Sequence, residues 1–141
     1  MPTDGYACGV AVDRSHLFWA NRNGTIGRSN LNGKRASVKQ NFIQAGTSTC
    51  GVAVNRAHIY WADFNSDSIG RADLNGRPAS VNPNFIPRAS NPCGVAVDRS
   101  HIYWANSLSG AIARADLNGS HVNQQLLPAN IPCWVAATRG R

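Results

Sequence analysis

The chain has 141 residues, of which 43% are hydrophobic and 15% are charged, and it carries a net charge of +7 at neutral pH. This composition is typical of a folded domain, and no stretch approaches the roughly 18 consecutive apolar residues of a membrane helix. The first residues, MPTDGYACGV, lack the basic and apolar regions of a secretory signal. The sequence therefore predicts a soluble chain without a membrane partner, and it leaves the compartment open.

One stretch of sequence occurs three times. It reads CGVAVDRSHLFWAN at 8–21, CGVAVNRAHIYWAD at 50–63 and CGVAVDRSHIYWAN at 93–106, and it begins again as CWVAATR at 133. The anchoring cysteines are therefore 42, 43 and 40 residues apart, which is the period of four-stranded propeller blades. The pattern predicts one repeat domain, 1–141, with blade 1 at about 8–49, blade 2 at about 50–92, blade 3 at about 93–132 and a partial fourth repeat at 133–141.

Each copy alternates apolar and polar residues with period two, which indicates short strands and no helices. In the third copy the strands are GVAVD, HIYWAN, GAIARADL and NQQLL in that order. An Asn-Gly pair separates the third and fourth strands of every copy and predicts a type I′ hairpin turn. The pairs are Asn32-Gly33, Asn75-Gly76 and Asn118-Gly119. The small residues of GVAV suit the crowded centre of a propeller, so this strand is expected nearest the axis.

Large side chains lie on both faces of the second strand. Ile102 and Trp104 point one way, whereas His101, Tyr103 and Ala105 point the other. A strand that is apolar on both faces is expected to be covered on both, as in a blade between two other blades. The residues predicted to pack blade against blade are Phe18, Trp19, Tyr60, Trp61, Tyr103 and Trp104.

The stretches HIYWADFNSDSIGRADLNG (58–76) and HIYWANSLSGAIARADLNG (101–119) resemble YWTD repeats, also called low-density lipoprotein receptor class B repeats. They are still more similar to bacterial six-bladed propeller relatives of the TolB-like and virginiamycin B lyase-like kind. The resemblance covers almost the whole chain and implies an all-β propeller. The threonine of the family motif is alanine here (Ala20, Ala62, Ala105), and its aspartate survives only as Asp63.

Residues that recur in every copy are most simply explained by packing that every copy shares. His16, His58 and His101 recur, as do Arg14, Arg56 and Arg99, and we interpret both sets as turn and blade-contact residues. Arg71 with Asp73, and Arg114 with Asp116, are expected to form ion pairs because residues two apart share a strand face.

Four cysteines beside histidines raise the question of a metal site. The separation of eight residues does not match a zinc motif, and Cys93 and His101 should lie at opposite ends of a hairpin, about 15 Å apart. Disulfides are not expected either, because equivalent positions on neighbouring blades do not readily approach to bonding distance. The prediction is free, buried thiols.

A weak calcium motif occurs in the second copy, where Asp63, Asn65 and Asp67 alternate as in the opening of a calcium loop. Ser68 and Leu74 stand where such a loop has glycine and glutamate. The simpler interpretation is a polar hairpin, and no cofactor is expected.

Three functions fit these observations. The first is a non-catalytic propeller module that presents loops for binding proteins or glycans. The second is a relative or fragment of a virginiamycin B lyase-like enzyme, whose activity the resemblance attributes to a histidine and a magnesium-binding glutamate; this chain has no glutamate. The third is a basic propeller that binds polyanions, although the cations are spread over all copies and nucleic acid is not expected. We favour the first function and no enzymatic activity.

Three blades leave two bare edges, so the sequence predicts a homodimer that completes a six-bladed ring. The alternative is that the chain is a piece of a longer propeller. In the dimer, two chains supply eight copies of the innermost strand where six are needed. The segment from 133 to 138 is therefore expected to lie outside the ring, with Cys133, Trp134 and Val135 forming a latch at the junction between chains.

Overall fold

The computed structural model describes residues 6–137, which form twelve β-strands in three separate four-stranded sheets. All strand pairs are antiparallel, and each sheet is a meander in which neighbours in sequence are neighbours in space. The sequence prediction of three four-stranded antiparallel blades is thereby confirmed. No helix in this part of the chain is long and apolar enough to cross a membrane.

The strands have closely matched bounds in the three blades. Blade 1 contains β1 (Ala7–Val12), β2 (His16–Asn21), β3 (Thr25–Asn30) and β4 (Lys39–Gln44). Blade 2 contains β5 (Thr49–Val54), β6 (His58–Asp63), β7 (Ser68–Asp73) and β8 (Asn82–Ile86). Blade 3 contains β9 (Pro92–Val97), β10 (His101–Asn106), β11 (Ala111–Asp116) and β12 (Asn123–Pro128). Single 3-10 turns, Arg35–Ser37 and Pro78–Ser80, follow the third strand of the first two blades.

The first strands of the three blades approach one another at the centre. A Cβ atom on Gly9 would lie 2.6 Å from the carbonyl oxygen of Cys50, and one on Gly51 would lie 2.6 Å from that of Cys93. Only glycine permits backbones to come this close. The repeated Cys-Gly pair therefore places GVAV innermost, as expected.

Each pair of neighbouring blades encloses a hydrophobic core. Between blades 1 and 2, one face of blade 1, which includes Phe18 and Ile26, packs on the opposite face of blade 2, which includes Val52 and Trp61. The same pattern recurs between blades 2 and 3, where Tyr60 and Trp104 are both fully buried. A blade thus needs a neighbour on each side to cover both of its faces.

The two end faces of the arc have no such neighbour in this chain. Val10 on blade 1 is 65% exposed, whereas Val52 and Val95, its equivalents in the other blades, are each 6% exposed. At the other end, Leu127 of β12 is 56% exposed, whereas Ile86 of β8 is fully buried.

The prediction of free thiols is wrong. Disulfides join Cys8 to Cys50 and Cys93 to Cys133, and no free cysteine is found among the described residues. The Cα atoms of each pair are 5.0 Å apart, within the usual range for a disulfide. The expectation failed because the glycines after Cys8, Cys50 and Cys93 let the innermost segments approach far more closely than ordinary blade spacing allows.

The predicted type I′ turns are also absent. Gly33, Gly76 and Gly119 have positive φ, but the asparagines before them do not. Each glycine instead donates its N–H to a carbonyl three residues earlier, as Gly76 does to Asp73 at 2.9 Å. The glycine is therefore the last residue of a β-turn, and a longer loop then leads to the fourth strand.

The expected arginine–aspartate ion pairs do not form either. Within residues 6–137 every ion pair joins a histidine to an aspartate. The guanidinium of Arg71 instead lies 4.2 Å from the centre of the Phe85 ring. Register explains this outcome, since Asp73 pairs across the sheet with His58 and Arg71 pairs with Tyr60.

Candidate ligand-binding face

The most distinctive surface of this arc is one end of the blades, which we call the turn face. It consists of the turns between first and second strands (13–15, 55–57, 98–100) and the loops between third and fourth strands (31–38, 74–81, 117–122). These segments carry six arginines and lysines and two aspartates. The segments at the opposite end (22–24, 45–48, 64–67, 87–91, 107–110, 129–132) carry two cations and one aspartate. Most of the positive charge in the connecting segments therefore lies on one side.

In each turn between a first and a second strand, the side chain of the first turn residue fixes the backbone through hydrogen bonds. Oδ1 of Asp13 accepts hydrogen bonds from the backbone N–H of Ser15 (2.7 Å) and of His16 (2.6 Å). In blade 2, Asn55 accepts the equivalent bonds with its amide oxygen, and in blade 3 Asp98 accepts them with its carboxylate. The three turns therefore have the same shape, and Asn55 gives the middle turn no negative charge.

These hydrogen bonds also set the acidity of the turn aspartates. Partial burial by itself raises the pKa of Asp13 and of Asp98, but hydrogen bonds from the backbone N–H groups, together with the nearby His16 and His101, more than offset it. Tyr103 adds a further hydrogen bond to Asp98, from its hydroxyl to Oδ2 at 3.0 Å. The pKa of both carboxyls is lowered as a result, so both are ionised at neutral pH.

The residue after each of these side chains is an exposed arginine: Arg14, Arg56 and Arg99. Among the described residues, none of these guanidinium groups lies within 4.0 Å of a carboxylate or donates a hydrogen bond within the protein. Loops 31–38 and 74–81 add three exposed cations, Lys34, Arg35 and Arg77. The turn face therefore offers cations that the fold itself does not neutralise.

Two grooves run between the arginine turns. One has a volume of about 770 Å³ and separates blades 1 and 2, with Arg14, Arg28 and Arg56 among its lining residues. The other has a volume of about 530 Å³ and separates blades 2 and 3, between Arg56 and Arg99. Residues 54–57 line both grooves, so the grooves meet at the middle turn.

Two histidines of the second strands pair with aspartates of the third strands, whereas His16, which lines the first groove, lies 3.5 Å from Asp13. His58 Nε2 lies 3.7 Å from Asp73 Oδ1, and His101 Nε2 lies 3.7 Å from Asp116 Oδ1. Burial lowers the pKa of His58, and the nearby charge of Arg71 lowers it further, against a smaller opposing effect of Asp73. His58 is therefore neutral at pH 7, and the repetition of this pair in blade 3 is consistent with a structural role.

The suggested calcium ligands have other partners. Asp63 is fully buried, and its carboxylate accepts hydrogen bonds from the backbone of Thr47, Ser48 and Ser66 and from the Thr47 hydroxyl. Asp67 Oδ1 accepts a hydrogen bond from the backbone N–H of Asn91, whereas Asn65 lies exposed in the hairpin. Asp63 thus ties blade 2 to the linker from blade 1. Residues 6–137 contain no cluster of three or more metal-ligating side chains of the His, Cys, Asp or Glu type.

The predicted packing residues occupy two kinds of position. Phe18, Tyr60, Trp61 and Trp104 are fully buried between blades, whereas Trp19 and Tyr103 are half-buried on the two end faces. In the predicted latch, Cys133 is bonded to Cys93, Val135 is half-buried and Trp134 is 62% exposed. Residues 133–137 form no strand, and position 138 lies outside the described residues.

Sequence reasoning assigned the recurring arginines to packing and therefore missed the turn face. The sequence signal for this face was the spacing of the arginines, which equals the length of the repeat. Cations that are 42 or 43 residues apart in sequence occupy the same position in successive blades, so they become a row in space.

No protein-family model and no curated protein sequence matches this chain. Solved structures do match it. The structure titled "Crystal structure of Nidogen/Laminin Complex" has a TM-score of 0.71 at 23% identity, covering 83% of this chain and 46% of that chain. A streptogramin B lyase structure has a TM-score of 0.70 at 13% identity, covering 94% and 45% respectively. Hydrazine synthase of Kuenenia stuttgartiensis has a TM-score of 0.76 at 17% identity, covering 94% and 39%.

At these identities the likeness concerns the fold alone, and the chain spans less than half the length of each of these three structures. The neighbours share the propeller fold that the resemblance of the repeats implies. The chain is a β-propeller module of three four-stranded blades.

Proposed function

We propose that this chain is a non-catalytic binding module that recognises a protein or glycan ligand on its turn face, and that two copies complete a six-bladed ring. The observation that carries the binding function is the row of exposed arginines that have no ion-pair partner among residues 6–137 and lie over two joined grooves. Cations left without partners by the fold are available to a ligand.

Most of the other reactive side chains have structural partners that recur between blades; the exception is the exposed His121 of blade 3, whose Nδ1 lies 2.7 Å from Asp116 Oδ2. Asp13, Asn55 and Asp98 hold turns, Asp63 holds a linker, and the pairing of His58 with Asp73 recurs as His101 with Asp116. A catalytic acid or base needs a geometry and a pKa suited to one reaction, and a structural role repeated in two or three blades does not indicate a single site. This supports recognition rather than catalysis.

The disulfides indicate the redox state of the compartment in which the protein works. Cys8–Cys50 joins blade 1 to blade 2, and Cys93–Cys133 fixes the segment that follows blade 3. Disulfides of this structural kind persist in oxidising compartments and are rare in a reducing cytosol. The proposed ligand is therefore one that is met outside the cytosol.

Binding and catalysis are separated by two measurements on the purified protein. On a printed array of glycans and proteins, the wild type should retain ligands that the variant Arg14→Ser/Arg99→Ser loses. The variant Arg22→Ser/Arg88→Ser removes the same charge from the opposite end and should retain them. Equal retention by both variants would place binding elsewhere, and magnesium-dependent opening of a streptogramin B lactone by the protein would favour the lyase alternative.

The proposal of a dimeric six-bladed ring rests on the two uncovered faces at the ends of the arc, one on blade 1 and one on blade 3. The face of blade 1 that carries Val10 and Trp19 corresponds to the faces of blades 2 and 3 that pack on the preceding blade. The face of blade 3 that carries Tyr103 and Leu127 corresponds to the faces that receive them. A second copy can therefore repeat the existing blade contact twice, and two contacts related by a two-fold axis close a ring.

Sedimentation velocity tests the ring through the first of these faces. The wild type should sediment as a dimer at micromolar concentration, and Val10→Asp/Val12→Asp should sediment as a monomer because a buried carboxylate is costly. Phe64→Asp, in the β6–β7 turn of the middle blade, should leave the dimer intact. A monomeric wild type, or a dimer that tolerates Val10→Asp/Val12→Asp, is the result that excludes this ring.

A further inference from the structure

We infer that the ligand of the turn face is an extended acidic polysaccharide, whose sulfate or carboxylate groups contact Arg14, Arg56 and Arg99 in succession. This inference rests on the proposed function and names its ligand class. It follows from the shape, the charge and the side-chain chemistry of the two joined grooves.

The shape favours a linear polymer over a compact ligand. The groove between blades 1 and 2 and the groove between blades 2 and 3 share residues 54–57. They therefore form one track that passes over the middle turn. A chain molecule can occupy both grooves at once, and each additional contact along one polymer adds to its affinity at a high effective concentration.

The charge along the track favours an anion. The first groove is lined by three arginines and two aspartates and the second by two arginines and one aspartate, so cations outnumber carboxylates in both: Arg14, Arg28, Arg56, Asp13 and Asp73, and Arg56, Arg99 and Asp98. At the middle of the track Asn55 takes the place that Asp13 and Asp98 have at its ends. An anionic group that crosses the middle turn therefore meets Arg56 without a turn carboxylate beside it. Guanidinium groups suit this contact because they bind sulfate and carboxylate through paired N–H donors.

The remaining lining residues favour a sugar over a nucleic acid. Single-stranded nucleic acids bind mainly by stacking bases on exposed aromatic rings, and neither groove is lined by phenylalanine, tyrosine or tryptophan. The nearby Phe42 and Phe85 rings are covered by the guanidinium groups of Arg28 and Arg71, each 4.2 Å from the ring centre. Ser15 and Asn75 in the first groove instead offer hydroxyl and amide groups, which can bond sugar hydroxyls.

The test uses a heparin dodecasaccharide as the probe and isothermal titration calorimetry at several salt concentrations. Wild-type protein should bind the probe at 150 mM salt. Arg14→Ser/Arg99→Ser should weaken binding at least tenfold and reduce the salt dependence, by about one unit of log K per log salt for each lost contact. The matched control, Arg22→Ser/Arg88→Ser, should change binding less than twofold.

Three results would overturn the inference: no binding of the probe at 150 mM salt, equal weakening by the two double variants, or tighter binding of a 20-nucleotide single-stranded DNA. The proposed function survives these results if the array yields a neutral glycan or a protein ligand that depends on Arg14 and Arg99. It fails together with the inference if no array ligand depends on them.

Discussion

The Sγ atoms of Cys50 and Cys93 lie 3.6 Å apart, although each of these cysteines is disulfide-bonded to a different partner. The four cysteines come from four successive segments at the centre of the arc, so the four sulfur atoms form one row in which only alternate neighbours are bonded. The two bonds fix blade 1 to blade 2 and blade 3 to the segment after it. Blades 2 and 3 have no disulfide between them and are held by packing and by hydrogen bonds through the linker 87–91.

The first prediction concerns the stability that these bonds provide. The Cys8–Cys50 bond closes a loop with a sequence separation of 42, and a loop of this size is expected to contribute about 4 kcal/mol by restricting the unfolded chain. Cys8→Ala/Cys50→Ala should lower the free energy of unfolding in urea by about that amount. Peptide mapping of the unreduced wild type should give the 8–50 and 93–133 pairs, and recovery of a 50–93 pair would contradict this arrangement.

The disulfides separate what the sequence can predict, which is the blade architecture, from what it cannot, which is the pairing of the cysteines. The period of the cysteines and the alternation within each copy were enough to predict three blades, their strand order and the innermost position of GVAV. The pairing of the cysteines depended on the distance between innermost strands, which blade geometry in general does not give. The Cys-Gly pair carried that information, because glycine at this position permits the close approach.

The sequence predicts the candidate site less well than the fold, because the exposure of its arginines depends on the geometry of the turns. The repetition of Arg14, Arg56 and Arg99 is visible in the sequence, but repetition alone favours turn and blade-contact residues over a binding surface. Whether a repeated side chain faces a neighbouring blade or solvent depends on its place in the turn. The hydrogen bonds of Asp13, Asn55 and Asp98 fix that place, and they were visible only in the structure.

The second prediction tests the close approach of the innermost strands. Gly51→Ala should lower the free energy of unfolding by about 1–3 kcal/mol, as overpacking does, because the new Cβ would lie 2.6 Å from the carbonyl oxygen of Cys93. Backbone atoms at the centre of the blades cannot move aside as a flexible side chain would. The measurement is urea unfolding followed by tryptophan fluorescence.

Ala57→Ser serves as the control for this substitution, since Ala57 is exposed in the turn after β5 and should tolerate the change. If Gly51→Ala were as stable as this control, the innermost strands would have to be further apart than the structure shows.

The third prediction concerns acid stability. The pKa of Asp13 and of Asp98 is lower in the folded protein than its ordinary value of 3.8. Their ionised forms therefore stabilise the fold above about pH 4, and this contribution is lost as the pH falls through the lower folded values. Asp13→Asn/Asp98→Asn should lose less stability than the wild type between pH 5 and pH 2, measured by urea unfolding at each pH.

The middle blade supplies the control for this experiment. Asn55 already accepts the same two backbone hydrogen bonds with an amide, at 2.9 and 2.8 Å, so the asparagine variants should fold. Asn55→Asp adds a third carboxylate in the same geometry and should make the protein more sensitive to acid. Identical pH profiles for all three proteins would show that the turn carboxylates do not contribute.

The last prediction concerns Trp134, which stands where each earlier copy has glycine. Residues 133–135 lie against Gly94 as 93–95 lie against Gly51, with the Gly94 Cβ position 2.5 Å from the carbonyl oxygen of Cys133. The segment can therefore follow β9 in the row of innermost strands. It cannot be followed by another strand in the same way, because the indole of Trp134 would meet that strand where a glycine is needed.

This geometry bears on the junction of the proposed ring. If the segment replaced β1 of a second copy, Trp134 would take the place of Gly9, whose Cβ position is only 2.6 Å from the carbonyl oxygen of Cys50. In the proposed ring, β1 of the second copy and this segment need the same place beside Gly94, where the structure has the segment, held by the Cys93–Cys133 bond. We therefore expect dimerisation to displace Trp134 and Val135 from that place and to bury the exposed indole at the junction, as a latch. Buried tryptophans often dominate such contacts. Trp134→Ala should then raise the dimer dissociation constant at least tenfold in sedimentation equilibrium, whereas Phe64→Ala in the middle blade should not.

Trp134→Gly separates the latch from strand replacement. With a latch, removing the indole weakens the dimer whether alanine or glycine takes its place. With replacement of β1, glycine at 134 restores the repeat and should strengthen the dimer, while alanine should not, since its Cβ would still meet the carbonyl of the next strand. A dimer strengthened by Trp134→Gly alone would therefore contradict the latch, and one weakened by both variants would support it.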